Sequence, residues 1–259
     1  MASYVQIDRE GKVATVRLNR PDKHNAFDEH LIAELTKAFR DLANDAAVRV
    51  VVLAANGASF SAGADLDWMK RMSVMDRAAN ERDSLLLADL MAAIDRCPKP
   101  VVGLVEGAAF GGGVGLVACC DIAIATTKAS FCLSEVRLGL IPAVISPYVA
   151  AAIGPRACRR YFLTAERFDA ETAERLGLVH RVVAPDALAR ARDEIVGHLL
   201  RGGPAAQAAA KDLVQRVSFA KIDEALRHDT ARRIADARAS DEGKEGIAAF
   251  LDKRRPNWS

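Results

Sequence analysis

Two stretches set small residues between an apolar run and a helix-like run: "FSAGADL" at 60–66 and "FGGGVGL" at 110–116. Glycine has no Cβ, so Gly111, Gly112 and Gly113 let a ligand or a second backbone approach closely. The helix start that follows them carries unpaired N–H groups and partial positive charge, a place for something negative. Two amides converging on one oxygen make an oxyanion hole, and a single donor of this kind is worth about 3 to 4 kcal/mol in the transition state. Either loop alone reads equally as close packing of helix on sheet. Glu135, in "FCLSEVRLGLIP", adds a carboxylate between an apolar strand-like run and a Gly/Pro turn, where partial burial raises a carboxyl pKa toward acid/base use. Its plainer reading is a surface glutamate paired with Arg137.

A dinucleotide-binding reading competes for the same residues. Gly113-Val-Gly115-Leu-Val-Ala118 matches Gly-x-Gly-x-x-Ala, and Glu135 lies twenty residues beyond the second glycine. The context is wrong for it: the helix ends by Asp121, and the acid sits after a further strand and turn. The five histidines show no metal-ligand spacing, so neither a metal nor a separate cofactor is expected.

The elements that position these loops follow from periodicity. "YVQIDREGKVATVRL" reads as a hairpin about Glu10-Gly11, and Pro21 breaks it. Asp28 is a helix N-cap, after which Leu31, Leu35, Ala38, Phe39 and Leu42 recur at helical spacing. "VRVVVLAANG", "VVGLVEG" and "DIAIAT" read as buried strands, with a long helix ending before Pro98 and Pro100 between the first two. This order predicts an α/β core with its active groups in strand-to-helix loops. Beyond Pro142 the pattern turns helical, with "GLVHRVV" the one remaining strand. We divide the chain into an α/β core, 1–196, and a helical region, 197–259.

With 259 residues, 51% of them hydrophobic, the chain supports a sizeable core. A net charge of +2 with no basic stripe argues against nucleic acid, and no run reaches the length of a membrane span. Cys97, Cys119, Cys120, Cys132 and Cys158 form no CxxC pair, and the N-terminus has no signal core, so a cytoplasmic location is expected.

"HNAF", "FSAGADL", "GAAFGGGVGL" with "CDIAIA", "SEVRLGLIP", "ERLGLV" and "DEGKEGIAAFLDKRRPNW" occur in an order that resembles the enoyl-CoA hydratase/isomerase (crotonase) superfamily over essentially the whole chain. The resemblance implies a spiral of β-β-α units, a helical C-terminal region used for trimers or dimers of trimers, and acyl-CoA thioester substrates whose enolate is stabilised. By motif position it assigns the oxyanion amides to Ala64 and Gly112 and the acid/base group to Glu135. It places Lys23, His24, Ala26, Ala62, Asp65 and Leu66 on the coenzyme, with Phe250 and Lys253 reaching it from a neighbouring subunit. Trp68, Met69, Gly115 and Ala143 fall at the acyl pocket, although a tryptophan at a helix start is as often core.

The sequence departs from the family pattern twice. Gly115 stands where hydratases carry a second glutamate, and "PAVISPYV" replaces a glycine-rich turn, with Ala143 in place of a glycine. The vacated place beside Gly115 is therefore expected to hold water or substrate. "FSAGADLDWMKRM" paired with "SEVRLGLIPAVISPYV" resembles bacterial methylglutaconyl-CoA and isohexenylglutaconyl-CoA hydratases. Their distal carboxylate calls for a cation, with Lys70 and Arg71 as candidates ahead of Arg137, which can pair with Glu135. Isomerisation, general enoyl-CoA hydration and non-catalytic acyl-CoA binding stand as alternatives.

Overall fold

Two strand-like runs on either side of Gly11 form the expected antiparallel hairpin, β1 (Val5–Glu10) and β2 (Val13–Leu18). The computed structural model describes residues 3–258. Helix α1 (Glu29–Asn44) begins where Asp28 accepts the Leu31 N–H, and it buries Leu31, Leu35, Phe39 and Leu42. Each such side chain contributes about 1.5 to 3 kcal/mol of hydrophobic stabilisation.

Three strand pairs then repeat. They are β3 (Val50–Ala55) with β4 (Ser59–Ser61), β5 (Val101–Val105) with β6 (Ala108–Phe110), and β7 (Ile122–Thr126) with β8 (Ser130–Cys132). The first member of each pair joins one sheet and the second joins another. Helices α2 (Leu66–Ser73) and α3 (Arg77–Asp95) follow the first pair, and α4 (Gly112–Cys119) follows the second. After the third pair come a 3-10 turn at Glu135–Leu138 and α5 (Ser146–Thr164). A two-residue strand that the sequence does not reveal, β9 (Phe168–Asp169), leads into α6 (Ala170–Leu176) and β10 (Arg181–Val183).

The larger sheet runs β1-β2-β3-β5-β7-β10 and is parallel from β2 onward. The smaller runs β4-β6-β8-β9, with its first three strands parallel. In β3, Val51 and Leu53 face the main core, while Val50, Val52 and Ala54 face a second one closed by Leu188, Ala191 and Val196 of α7 (Leu188–Arg201). Burial on both faces explains why these strands read as unbroken apolar runs. It also moves the division of the chain: residue 197 lies inside α7, a helix of the core, and the chain leaves the core at Gly202-Gly203. The helices beyond, α8 (Pro204–Val217), α9 (Glu224–Ala239) and α10 (Asp241–Leu251), bury almost nothing. They leave Ile234, Ile247 and Phe250 exposed, and the α8–α9 connection does the same with Phe219 and Ile222. No helix of the described residues is long and apolar enough to cross a membrane.

Candidate active site

The three parallel strands of the small sheet end side by side, and each end delivers one part of the site. β4 leads to Ala62–Asp65, β6 to Gly111 and Gly112, and β8 through Leu133 and Ser134 to Glu135. The Gly111 N–H donates to the Cys132 carbonyl (2.8 Å), tying the second turn to the third. Gly111 adopts φ 50°, ψ −118°, a conformation that L side chains avoid. A methyl group there would stand 3.2 Å from Glu135 Oε1 and 3.9 Å from the Gly63 Cα, so all three turns meet at this bare backbone.

The two amides are exposed to a ligand for different reasons. Phe27 bridges Ala64 as in a parallel sheet: its N–H donates to the Gly63 carbonyl (2.7 Å) and its carbonyl accepts the Asp65 N–H (2.8 Å). That pairing turns the Ala64 N–H to the opposite side. Gly112 is the first residue of α4, where an N–H has no partner in the helix. Among the described residues neither amide donates to a protein group. The Phe27 ring lies against Gly112, 3.0 Å from where a Cβ would be, so one residue supports both turns, the first by its backbone and the second by its side chain.

Glu135 is half-buried, and its Oε2 is shielded from solvent with no hydrogen-bond partner. Burial pushes its carboxyl above the ordinary carboxylate range, opposed only by a backbone hydrogen bond. Among the described residues it forms no ion pair with Arg137, which is exposed, so the surface-pair reading fails. The dinucleotide reading fails too, because Glu135 faces the same glycine turn that it would have to follow at a distance.

The space beside Gly115 is filled. A methyl group on this residue would stand 2.3 Å from Ile145 Cγ2 and 3.2 Å from Met91 Cε. Ile145 belongs to the "PAVISPYV" segment, so the two departures seen in the sequence are one change: the bare backbone at 115 admits the isoleucine. The expected opening for water or substrate is replaced by an apolar wall. Ala143 is exposed just before that isoleucine.

Trp68 is buried and donates its Nε1–H to Asp83 Oδ1 (3.3 Å), which joins α2 to α3; Met69 is half-buried beside it. Burial raises the Asp83 carboxyl, whose Oδ2 has no partner. The coenzyme candidates from the first turn form one patch. His24 Nδ1 lies 3.1 Å from Ser59 Oγ, the Ala62 N–H donates to the His24 carbonyl (2.9 Å), Lys23 stands 3.8 Å from Asp67, and Asp65 caps α2, leaving Leu66 exposed. Phe250 and Lys253 lie at the end of α10, which packs on α8 and α9. Arg71 forks onto Glu29 (2.8 and 2.7 Å), and Lys70 stands 3.9 Å from Asp67.

Sequence reasoning missed Arg20, Phe27 and Ile145. The available signal for Arg20 was a pair of aspartates, Asp28 and Asp65, each set before a helix and each in need of a counter-charge if buried. Arg20 is itself buried and pairs with both.

Residues 8–259 match the family model for enoyl-CoA hydratase/isomerase. The chain is similar to an enoyl-CoA hydratase from Shewanella pealeana of known crystal structure, with 48% identity and a TM-score of 0.96 over 98% of this chain and 96% of that one. It is 33% identical to crotonyl-CoA hydratase of Syntrophomonas wolfei, over 97% of this chain and 96% of that protein. It is 31% identical to short-chain-enoyl-CoA hydratase of Clostridium acetobutylicum, over 97% and 95%. The match runs through all three strand ends that carry the free amides and the half-buried acid, and this chain belongs to the enoyl-CoA hydratase/isomerase family.

Proposed function

We propose that this protein adds water across the 2,3-double bond of an enoyl-CoA thioester, using Glu135 as its one acid/base group. The observation that carries this reading is the half-buried Glu135 carboxyl against Gly111, its Oε2 shielded and without a hydrogen-bond partner, one residue from the free Gly112 amide. The Ala64 and Gly112 amides hold the thioester oxygen. Glu135 takes a proton as water oxygen bonds to C3, and the C2–C3 π electrons move through C2 to the carbonyl oxygen as an enolate. When the enolate collapses, Glu135 returns a proton to C2 and is again a carboxylate, so one water has been added and the enzyme is unchanged.

For the acyl group we propose a branched glutaconyl type, on the resemblance of the two segments flanking the site. Its distal carboxylate needs a cation. Lys70 and Arg71 already face carboxylates, whereas Arg137 makes no ion pair among the described residues, so we assign this role to Arg137. The exposed apolar side chains of α8–α10 support assembly into trimers or dimers of trimers. The five free, buried thiols support a reducing compartment, which we take to be the cytoplasm.

The test follows loss of enoyl-thioester absorbance with crotonyl-CoA and 3-methylglutaconyl-CoA, with product analysis. Hydrated product from both is expected, and Arg137→Met should raise KM for 3-methylglutaconyl-CoA alone. Equal effects on both substrates would leave a plain enoyl-CoA hydratase. A shifted double bond without hydration would identify an isomerase, which the single carboxylate and the filled space at Gly115 also suit. Coenzyme binding with no chemistry would leave only an acyl-CoA-binding protein.

A further inference from the structure

Arg20 lies outside the reacting groups, yet its side chain is almost fully buried at the back of the Ala64 turn. It reaches four partners. Nη1 stands 3.0 Å from Asp28 Oδ2 and donates to the Ala26 carbonyl (2.7 Å). Nη2 stands 3.3 Å from Asp65 Oδ2, and the guanidinium lies 4.5 Å from the centroid of the Tyr4 ring. Both aspartates use their other oxygen for a helix start: Asp28 Oδ1 accepts the Leu31 N–H, and Asp65 Oδ1 accepts the N–H groups of Asp67 and Trp68.

These contacts fall on the two segments that hold the Ala64 peptide. Ala26 and Asp28 flank Phe27, Asp65 follows Ala64, and Phe27 is hydrogen-bonded to Gly63 and Asp65. The remaining loop is fixed from the other side by Asn25. Its Oδ1 accepts the Arg20 N–H (2.8 Å), its Nδ2 donates to the carbonyls of Asn56 (2.9 Å) and Ser59 (2.8 Å), and its carbonyl accepts the Ser61 hydroxyl (2.9 Å). A planar guanidinium can serve two carboxylates and a carbonyl at once; a lysine ammonium lacks the fixed fork to do so.

We propose that Arg20 is a positioning residue for the oxyanion hole, setting the direction of the Ala64 N–H by clamping segment 26–28 to Asp65. This inference rests on the assignment of Ala64 and Gly112 as the oxyanion donors. Displacement of a donor by about an ångström costs on the order of 100-fold in rate, so the role is read in turnover and not in substrate affinity. Arg20→Lys, which keeps the buried positive charge, should lower kcat about 10- to 100-fold while KM for crotonyl-CoA stays within about threefold. Arg20→Ala, which leaves two buried carboxylates without their counter-charge, should recover part of its lost turnover when ethylguanidinium is added.

A second readout isolates the hole from proton transfer. The bound enolate of a 3-ketoacyl-CoA absorbs in the near ultraviolet, and an oxyanion hole raises the enolate fraction at a given pH. Arg20→Lys should lower that fraction. If Gly112→Pro keeps the enolate signal of Gly112→Ala, the oxyanion assignment itself falls. If that signal is lost in Gly112→Pro but unchanged in Arg20→Lys, the hole stands and the role of Arg20 is overturned. A raised KM at unchanged kcat in Arg20→Lys would place Arg20 with the coenzyme patch and overturn it equally.

Discussion

The turn after β4 is held by charge. Arg20 faces Asp28 and Asp65, the two aspartates cap α1 and α2, and the Phe27 backbone brackets Ala64, whose own side chain is exposed. The turn after β6 is held by missing side chains. Gly111 sits against Glu135 and Gly63, Gly112 against the Phe27 ring, and Gly115 against Ile145. Each turn presents one amide, yet they fail in opposite ways. Taking a group away breaks the first, because a buried charge left without its partner is costly. Adding a group breaks the second, because its space is already occupied.

Glu135 stands against Gly111 of the second turn and is the one acid/base group of the site, so its replacement should have the largest effect. Glu135→Gln should lower kcat by about 10²- to 10⁴-fold with coenzyme affinity kept, since the amide has nearly the same shape and cannot take the proton of water. Single-turnover rates on crotonyl-CoA check this; more than about a tenth of the original turnover would remove Glu135 from the mechanism.

Next in size is the Gly112 amide. Gly112→Pro both deletes the N–H and adds a Cβ that meets Phe27, and Gly112→Ala adds only the Cβ. The ratio of their kcat values is therefore the contribution of the donor, expected at about 10²- to 10³-fold. A ratio near one in folded proteins would contradict the assignment.

Position 115 sharpens the contrast further. Gly115→Glu alone forces Ile145 aside and should cost about 1 to 3 kcal/mol of stability, measured by denaturant unfolding. Combining it with Ile145→Ala makes room for the carboxylate, and the pair then tests whether position 115 reaches Glu135. Like charges there raise one pKa, so the double variant should shift the pH–rate profile and favour crotonyl-CoA over 3-methylglutaconyl-CoA in kcat/KM. An unchanged ratio and profile would mean that position 115 does not face the acyl group.

The smallest effect is a stability difference with pH. Burial raises the Glu135 carboxyl in the folded chain above its unfolded value, so the native state binds the proton more tightly and stability falls as pH rises through that interval. Glu135→Gln should accordingly have a higher Tm than the parent at neutral pH, and the gap should close below the ordinary glutamate range. A constant gap across the titration would show that the carboxyl does not carry the strain of burial.

Local chemistry in the sequence determined much of this molecule: the hairpin about Gly11, the Asp28 cap of α1, the buried strands, and the three stretches that meet at the site. Those features leave a local mark, through periodicity, capping or backbone freedom, and need no knowledge of what lies across the fold. Tertiary structure alone decided that Arg20 backs the Ala64 turn, that Ile145 fills the place beside Gly115, and that α7 belongs to the core. The small sheet is the physical reason for the difference at the site. β4, β6 and β8 have three residues each, too few for a period to emerge, yet their parallel pairing is what lines up Ala64, Gly112 and Glu135. Position along the chain supplied the groups, and strand pairing between distant segments supplied their geometry.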